Sequence, residues 1–174
     1  MPSDHTYYAR IASPIGDLLV AGDGASISVV EMEVQRWTPS DTSGWRRDDA
    51  LFASARRQLD AYFAGELLDF DLPLAPCGTA FQQRVWSALR EIPYGEVVSY
   101  GAIAKRVGAP AAVRAVGAAN GRNPVAIVIP CHRVVGADGS LTGYGGGLER
   151  KRWLLQHESR VRARVGLAPA GLLT

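Results

Sequence analysis

Val98-Ser99-Tyr100-Gly101-Ala102-Ile103-Ala104-Lys105-Arg106-Val107-Gly108-Ala109-Pro110-Ala111-Ala112-Val113-Arg114-Ala115-Val116-Gly117-Ala118-Ala119-Asn120-Gly121 is the stretch that decides the fold. Ser99 can accept the free N–H groups of a helix start, with Ile103 and Val107 facing inward and Gly108 at the stop. Three residues, Gly108-Ala109-Pro110, lead to a second helix predicted over 111–120, with Pro110 in its first turn and Gly121 at its end. Two short helices joined by a tight glycine-containing turn have the spacing of a helix-turn-helix. The second helix is almost all Ala and Gly, so its backbone can approach another surface closely, and Arg114 projects from it. A packed core helix with one solvated arginine has the same pattern, so the pair of helices does not by itself define a binding surface.

Working outward, the chain reads as α+β. Upstream, Thr79 is a candidate N-cap for a helix with Phe81, Val85, Trp86 and Leu89 inward and Pro93 beyond its end. Further back, Asp48 and Asp49 open a predicted helix with Leu51, Ala55, Leu59, Tyr62 and Phe63 on its apolar face and Gly65 at its stop. The segment 67–77 reads as an extended crossing. Residues 6–11, 18–21 and 27–32 are short apolar runs separated by Pro14-Ile15-Gly16-Asp17 and Gly22-Asp23-Gly24, the pattern of an antiparallel meander, and 38–45 reads as a loop. The expected division is an N-terminal scaffold of sheet and helix over 1–76, and a mostly helical, winged helix-turn-helix domain over 77–174.

Composition narrows the function classes. The 174 residues, 47% of them hydrophobic, suffice for one domain or two small ones with a shared core. No apolar run reaches the length of a membrane span, and no membrane partner is expected. Met1-Pro2-Ser3-Asp4-His5 lacks a basic region and apolar core, so no secretory signal is read and the expected compartment is the cytoplasm. Cys77 and Cys131 are the two cysteines, expected as free thiols. Charge is unevenly spread. Residues 1–76 hold 6 Lys+Arg against 12 Asp+Glu, and residues 77–174 hold 13 against 5. A basic second half suits a polyanionic partner.

After the helix pair come Asn123-Pro124, the apolar run 125–129, and Pro130-Cys131-His132-Arg133-Val134. The expectation is a buried strand that delivers a Cys-His pair at its end. A thiol becomes a good nucleophile as the thiolate, and a nearby imidazole can take its proton. A small core cysteine is the plainer reading of the same residue.

Here the sequence resembles the O6-alkylguanine-DNA alkyltransferases, the methylated-DNA–protein-cysteine methyltransferases. The resemblance rests on Pro130-Cys131-His132-Arg133-Val134 and on correctly spaced companions. These are residues 92–100 (Ile-Pro-Tyr-Gly-Glu-Val-Val-Ser-Tyr), residues 114–120 (Arg-Ala-Val-Gly-Ala-Ala-Asn), Asn123-Pro124, residues 143–148 (Gly-Tyr-Gly-Gly-Gly-Leu) and Lys151. It covers roughly 79–158, and the N-terminal half matches in layout alone.

The resemblance implies irreversible, stoichiometric transfer of an alkyl group from O6-alkylguanine in double-stranded DNA to Cys131, with O4-alkylthymine a second candidate substrate. It implies His132 as base through a water, Glu158 on the other imidazole nitrogen, and Tyr100 as donor to the leaving guanine. Asn123 would brace the Cys131 turn. Val134, Tyr144, Gly145 and Lys151 would form the substrate pocket, with backbone groups at Cys131 and Val134 reading the base edge. The helix pair would meet the minor groove through Ser99, Arg114, Ala115 and Arg122, with Arg114 filling the space left by a flipped nucleotide. A monomer is expected, with clustering on DNA left open.

Some relatives bind zinc through N-terminal Cys and His residues. Residues 1–76 contain no Cys and one His, so neither metal nor cofactor is expected. Some relatives carry Ser where this chain has Gly145, which bears on tolerance of bulky alkyl groups. Gly145-Gly146-Gly147 lacks the Lys-Ser/Thr ending of a phosphate loop and reads as a flexible pocket wall. His157 reads as a surface or capping residue, Arg150-Lys151-Arg152 as a partly solvated basic cluster, and Cys77 as a structural or idle thiol. Two other classes remain: a DNA-binding module that senses damage without chemistry, and a Cys-His hydrolase.

Overall fold

The computed structural model describes residues 6–32, 41–168 and 171–173. Strands β1 (Tyr7–Ile11), β2 (Leu18–Gly22) and β3 (Ile27–Met32) form the expected antiparallel meander, with Tyr8 opposite Ala21 and Val20 opposite Val30. A two-residue strand β4 (Arg46–Arg47) joins β1 in parallel, giving the order β3-β2-β1-β4. Nothing in Arg46-Arg47 signals a strand, and the predicted loop 38–45 is described only from Asp41 onward. β2 is buried along its whole length, which fits a central strand covered on both faces.

Helix α1 runs Ala53–Ala64, several residues later than the two aspartates suggest. The Asp48 carboxylate accepts from the N–H groups of Ala50 and Leu51, so it folds a local turn ahead of the helix. Gly65 then adopts a left-handed φ of 73° and ends α1 as predicted. In the second half, α2 (Ala80–Arg90) opens on a capping box between Thr79 and Gln82. It buries Val85, Trp86, Ala88 and Leu89, with Phe81 only half-buried. β5 (Val97–Ser99) leads into α3 (Tyr100–Arg106), capped by Ser99. α4 (Val113–Gly121) begins beyond Pro110, because the Ala112 N–H closes a turn on Ala109 before the helix starts. α5 (Leu148–Arg164) and the short parallel sheet β6 (Val134–Val135), β5, β7 (Leu172–Leu173) complete the chain.

The run 125–129 is not a strand. Val125 alone bridges to Val30, and the chain then doubles back with Ile127 at a φ of +73° and the Ile129 N–H bonded to the Val125 carbonyl. Asn123 explains the reversal. Its amide accepts from the Val125 N–H at 3.0 Å and donates to the Ile129 carbonyl at 2.8 Å, satisfying locally what a strand would offer a neighbour. Cys131–Arg133 follow as a turn of 3-10 helix.

The exposed edge of β3 is where the two halves join. The linker covers one end, with Ile27 N–H to Pro73 O and Ala75 N–H to Ile27 O, both 2.8 Å. The turn before Cys131 covers the other, with Val30 N–H to Pro124 O at 2.8 Å and Ala126 N–H to Val30 O at 3.0 Å. An edge strand is thereby closed. One apolar core runs from Ile11, Val20 and Leu59 through Val85, Leu89 and Ile103 to Val125 and Leu154.

Candidate active site

Cys131 is buried at the start of the 3-10 turn that Asn123 clamps. Burial pushes its thiol above the ordinary value. The Asn123 side chain, the Lys151 charge and the backbone N–H groups of Cys131 and His132 pull the other way. The site thus keeps a protonated thiol at rest and surrounds it with groups that favour its anion.

His132 and Glu158 are fully buried, and the imidazole Nε2 lies 2.7 Å from Glu158 Oε1. Burial lowers the His132 pKa, against the pull of the carboxylate. Burial would raise the Glu158 carboxyl, but the charges and hydrogen bonds of His132 and Arg133 hold it well below the carboxylate range. The resting pair is therefore a neutral imidazole donating Nε2–H to an ionised carboxylate. Its Nδ1 is buried without a hydrogen-bond partner among the described residues and carries the free lone pair.

Glu158 accepts four further hydrogen bonds, from three residues. Arg133 donates Nε–H to Oε2 and Nη2–H to Oε1, both at 3.0 Å, and its Nη1 donates to the Ile92 carbonyl. Tyr62, from α1 in the N-terminal half, donates its hydroxyl to Oε1 at 2.8 Å. The Gly95 N–H donates to Oε2 at 2.9 Å. Gly95 has a φ of +70°, and a Cβ there would come within 2.2 Å of the Arg162 side chain.

Lys151 is buried on the same face of α5 as Glu158, about two turns nearer the helix start, and its ammonium donates to the carbonyls of Val134 at 2.6 Å and Thr142 at 2.8 Å. Burial pushes its pKa down to about 8. The Tyr100 hydroxyl donates to the Thr142 carbonyl at 3.0 Å, and the Lys151 ammonium lies 5.9 Å from its ring centre. Tyr144 is buried, its hydroxyl without a hydrogen-bond partner among the described residues, and burial raises its pKa well above the tyrosine range. Met32, Asn120, Asn123, Ala126, Cys131, Tyr144 and Gly145 are among the residues that line a cavity of about 20 Å³ at the thiol.

On the helix pair, Arg114 and Ala115 are exposed on α4, as are Ala118 and, just past the helix, Arg122. Ser99 is buried and its hydroxyl accepts from the Ala102 N–H, so it serves the helix start. The cavity lining holds Cys131, Asn123, Tyr144 and Gly145, while His132 and Glu158 form a buried pair outside that lining and Lys151 links Val134 to the Thr142 carbonyl that Tyr100 also bonds; Arg114 and Ala115 lie on an outer helix surface.

Sequence reasoning passed over Tyr62, Arg133, Gly95 and Asn120. Arg133 had a usable signal, being an arginine in an apolar run with Glu158 the carboxylate on the inward face of α5. Asn120 bonds the Cys131 carbonyl at 3.4 Å through Nδ2, and its Oδ1 has no hydrogen-bond partner among the described residues. His157 is buried, not on the surface, and stacks on Trp153 at 5.1 Å, while its 2.8 Å bond to the Tyr62 carbonyl in the last turn of α1 agrees with the capping alternative. Of the basic cluster, Arg152 alone is exposed, since Arg150 bonds the carbonyls of Ile15 and Gly146. Cys77 is exposed. Among the described residues no cluster of three metal-ligating side chains occurs, and no helix is long and apolar enough to cross a membrane.

Fold and site together define a helix-turn-helix protein with a sheltered nucleophilic thiol. Residues 6–76 match the 6-O-methylguanine DNA methyltransferase ribonuclease-like domain, and residues 80–160 match the DNA binding domain of the same family. The methylated-DNA–protein-cysteine methyltransferase of Mycobacterium leprae is 59% identical over 146 residues, 84% of this chain and 88% of its own. That of Methanosarcina acetivorans is 53% identical over 87% of this chain and 97% of its own. The Mycobacterium tuberculosis OGT in complex with DNA superposes with a TM-score of 0.85 at 54% identity, covering 89% of this chain and 94% of the other. The chain belongs to the 6-O-methylguanine DNA methyltransferase family.

Proposed function

We propose that Cys131 takes the alkyl group of O6-alkylguanine in double-stranded DNA, with the surrounding residues in the roles that their geometry allows. The overall reaction is DNA repair by direct alkyl transfer. The observation that carries the assignment of the acceptor is the buried Cys131 followed in the same 3-10 turn by His132, whose tautomer Glu158 fixes and whose Nδ1 has no hydrogen-bond partner among the described residues. Nδ1 receives the thiol proton through a water, the resulting imidazolium is stabilised by Glu158, and the thiolate attacks the alkyl carbon in line. The S–C bond forms as the C–O6 bond breaks, and the electron pair moves onto the guanine. Tyr100 donates a hydrogen bond to the ring as charge develops there, and Lys151 stabilises the anions electrostatically. Backbone groups at Cys131 and Val134 read the base edge, and the Cys131 carbonyl, which accepts from Asn120 Nδ2 and the Val134 N–H, gives up its long 3.4 Å bond to Asn120 to do so.

A base inside the duplex hides its alkyl group, so the nucleotide rotates out, at a few kcal/mol. The smooth face of α4 approaches the minor groove, Arg114 occupies the vacated stack, and Ala115 and Arg122 lie along the backbone. Ser99 supports this surface from the start of α3. Residues 1–76 serve as the scaffold and 77–174 as the transferring domain. The product is a thioether, and Cys131 is the only thiol lining the pocket among the described residues, so each molecule acts once. The working unit is a monomer in the cytoplasm, away from membranes.

The test is stoichiometric. The folded protein and a duplex with one O6-methylguanine should yield one methylated Cys131 per protein, read by peptide mass. Cys131→Ala should keep DNA binding and lose transfer. Unmodified Cys131 in a folded, DNA-bound protein would overturn the assignment.

A further inference from the structure

The wall of the thiol cavity has one member from the other half of the chain. Met32, the last residue of β3, is 3% exposed and lines the cavity with Cys131, Asn120, Tyr144, Gly145 and Gly146. Its contact with the glycine loop is close. A Cβ on Gly146 would come within 2.2 Å of Met32 Sδ and 3.3 Å of its Cε, while Gly146 itself has no positive φ that would require glycine. Gly146 is therefore kept bare by the Met32 thioether and by the Tyr144 ring, 3.0 Å from the same point.

The cavity, at about 20 Å³, holds about one water. An alkyl group larger than methyl needs a wall to give way. Tyr144 is a rigid ring, and Asn120 and Asn123 are tied to the Cys131 turn. Met32 is unbranched, with three rotatable bonds and a soft sulfur, the side chain in this lining best able to repack. We propose that Met32 sets the alkyl-size limit of the reaction, its side chain swinging away from Gly146 to admit bulky groups beside Cys131. The N-terminal sheet thereby takes part in substrate selection. This rests on Cys131 being the acceptor.

The experiment measures single-turnover rates on O6-methylguanine and O6-benzylguanine duplexes for each variant, so methyl transfer by the parent protein reports on the acceptor separately. Met32→Ala should raise the benzyl-to-methyl rate ratio about tenfold or more, the discrimination that a few methylenes of pocket supply. Gly146→Ala should lower the ratio, and adding Met32→Ala should restore most of that loss. Met32→Leu, similar in volume but branched and stiffer, should fold and lower the ratio, so the proposal remains testable if the alanine variant unfolds. A ratio unchanged in folded Met32→Ala or Met32→Leu, or strictly additive effects of the Met32 and Gly146 changes, would overturn it.

Discussion

Glu158 accepts from Tyr62, Gly95, His132 and both near nitrogens of Arg133 in a place closed to water. Desolvating a carboxylate costs several kcal/mol, and these donors must repay it. Replacing it removes the negative end of the network and leaves Arg133 buried, 5% exposed, without its anion. Glu158→Gln should cost about 3–5 kcal/mol, seen as a lower urea midpoint at neutral pH. The pH dependence has a definite sign. The folded carboxyl titrates below the unfolded one, so its contribution is present above the unfolded value and drains away as pH falls toward the folded one. The parent should lose stability steeply below about pH 4.3, and Glu158→Gln should flatten that slope.

Lys151 gives a second prediction at this scale. It loses its proton near pH 8 when folded and near 10.5 as an ordinary lysine. Transfer should hold to below pH 6.5, because burial lowers the His132 pKa, and should decline as Lys151 discharges near 8. Lys151→Met should lower the plateau at least about tenfold and abolish that decline, measured by single-turnover rates across pH. Stability moves oppositely. The unfolded chain binds more protons between those two values, so stability rises with pH across the window.

At the scale of elements, α4 presents Ala115 and Ala118 outward while Val116, Ala119 and Asn120 face in. The exposed alanines make no packing demand, so a large acidic residue there acts on what approaches the helix. Ala118→Glu should change folding stability by no more than about 0.5 kcal/mol, the usual range for exposed sites. It should weaken duplex binding about tenfold or more at fixed low salt, followed by fluorescence anisotropy, because it sets bulk and negative charge against phosphates. Capping and termination were legible from sequence, as Thr79, Ser99, Gly65 and Gly108 show, since each rests on hydrogen bonds made within a few residues. The helix starts near Asp48 and Pro110 were misplaced, because the same local chemistry can close a turn before a helix. The reversal at Ile127 was illegible. An apolar β-branched run predicts extension, and only the Asn123 amide, bonding Val125 and Ile129, overrides it.

For the whole molecule, the chain divides into a sheet-and-helix part and a helical part by composition and charge, but its forces do not follow that division. The acceptor turn hangs on β3 through Val30. The carboxylate behind His132 is bonded to Tyr62 of α1, 96 positions away, and His157 bonds the carbonyl of the same tyrosine at 2.8 Å. The sequence offered the Cys131-His132 pair through its local motif, and Glu158 and Lys151 through the family resemblance. It could not supply Tyr62 or Met32, whose roles depend on the docking of one half against the other. A shared core and shared buried polar bonds imply one cooperative unit. Thermal unfolding should therefore show a single transition, with backbone circular dichroism and tryptophan fluorescence coincident. Leu59→Ala, a cavity in the fully buried face of α1, should cost about 2–5 kcal/mol. Made in a Trp37→Phe/Trp45→Phe background, it should lower the midpoint of both signals together, although the remaining tryptophans, Trp86 and Trp153, lie in the other half. Two separated transitions, with the second untouched by Leu59→Ala, would mean that the halves fold independently and that Tyr62 merely rests against Glu158.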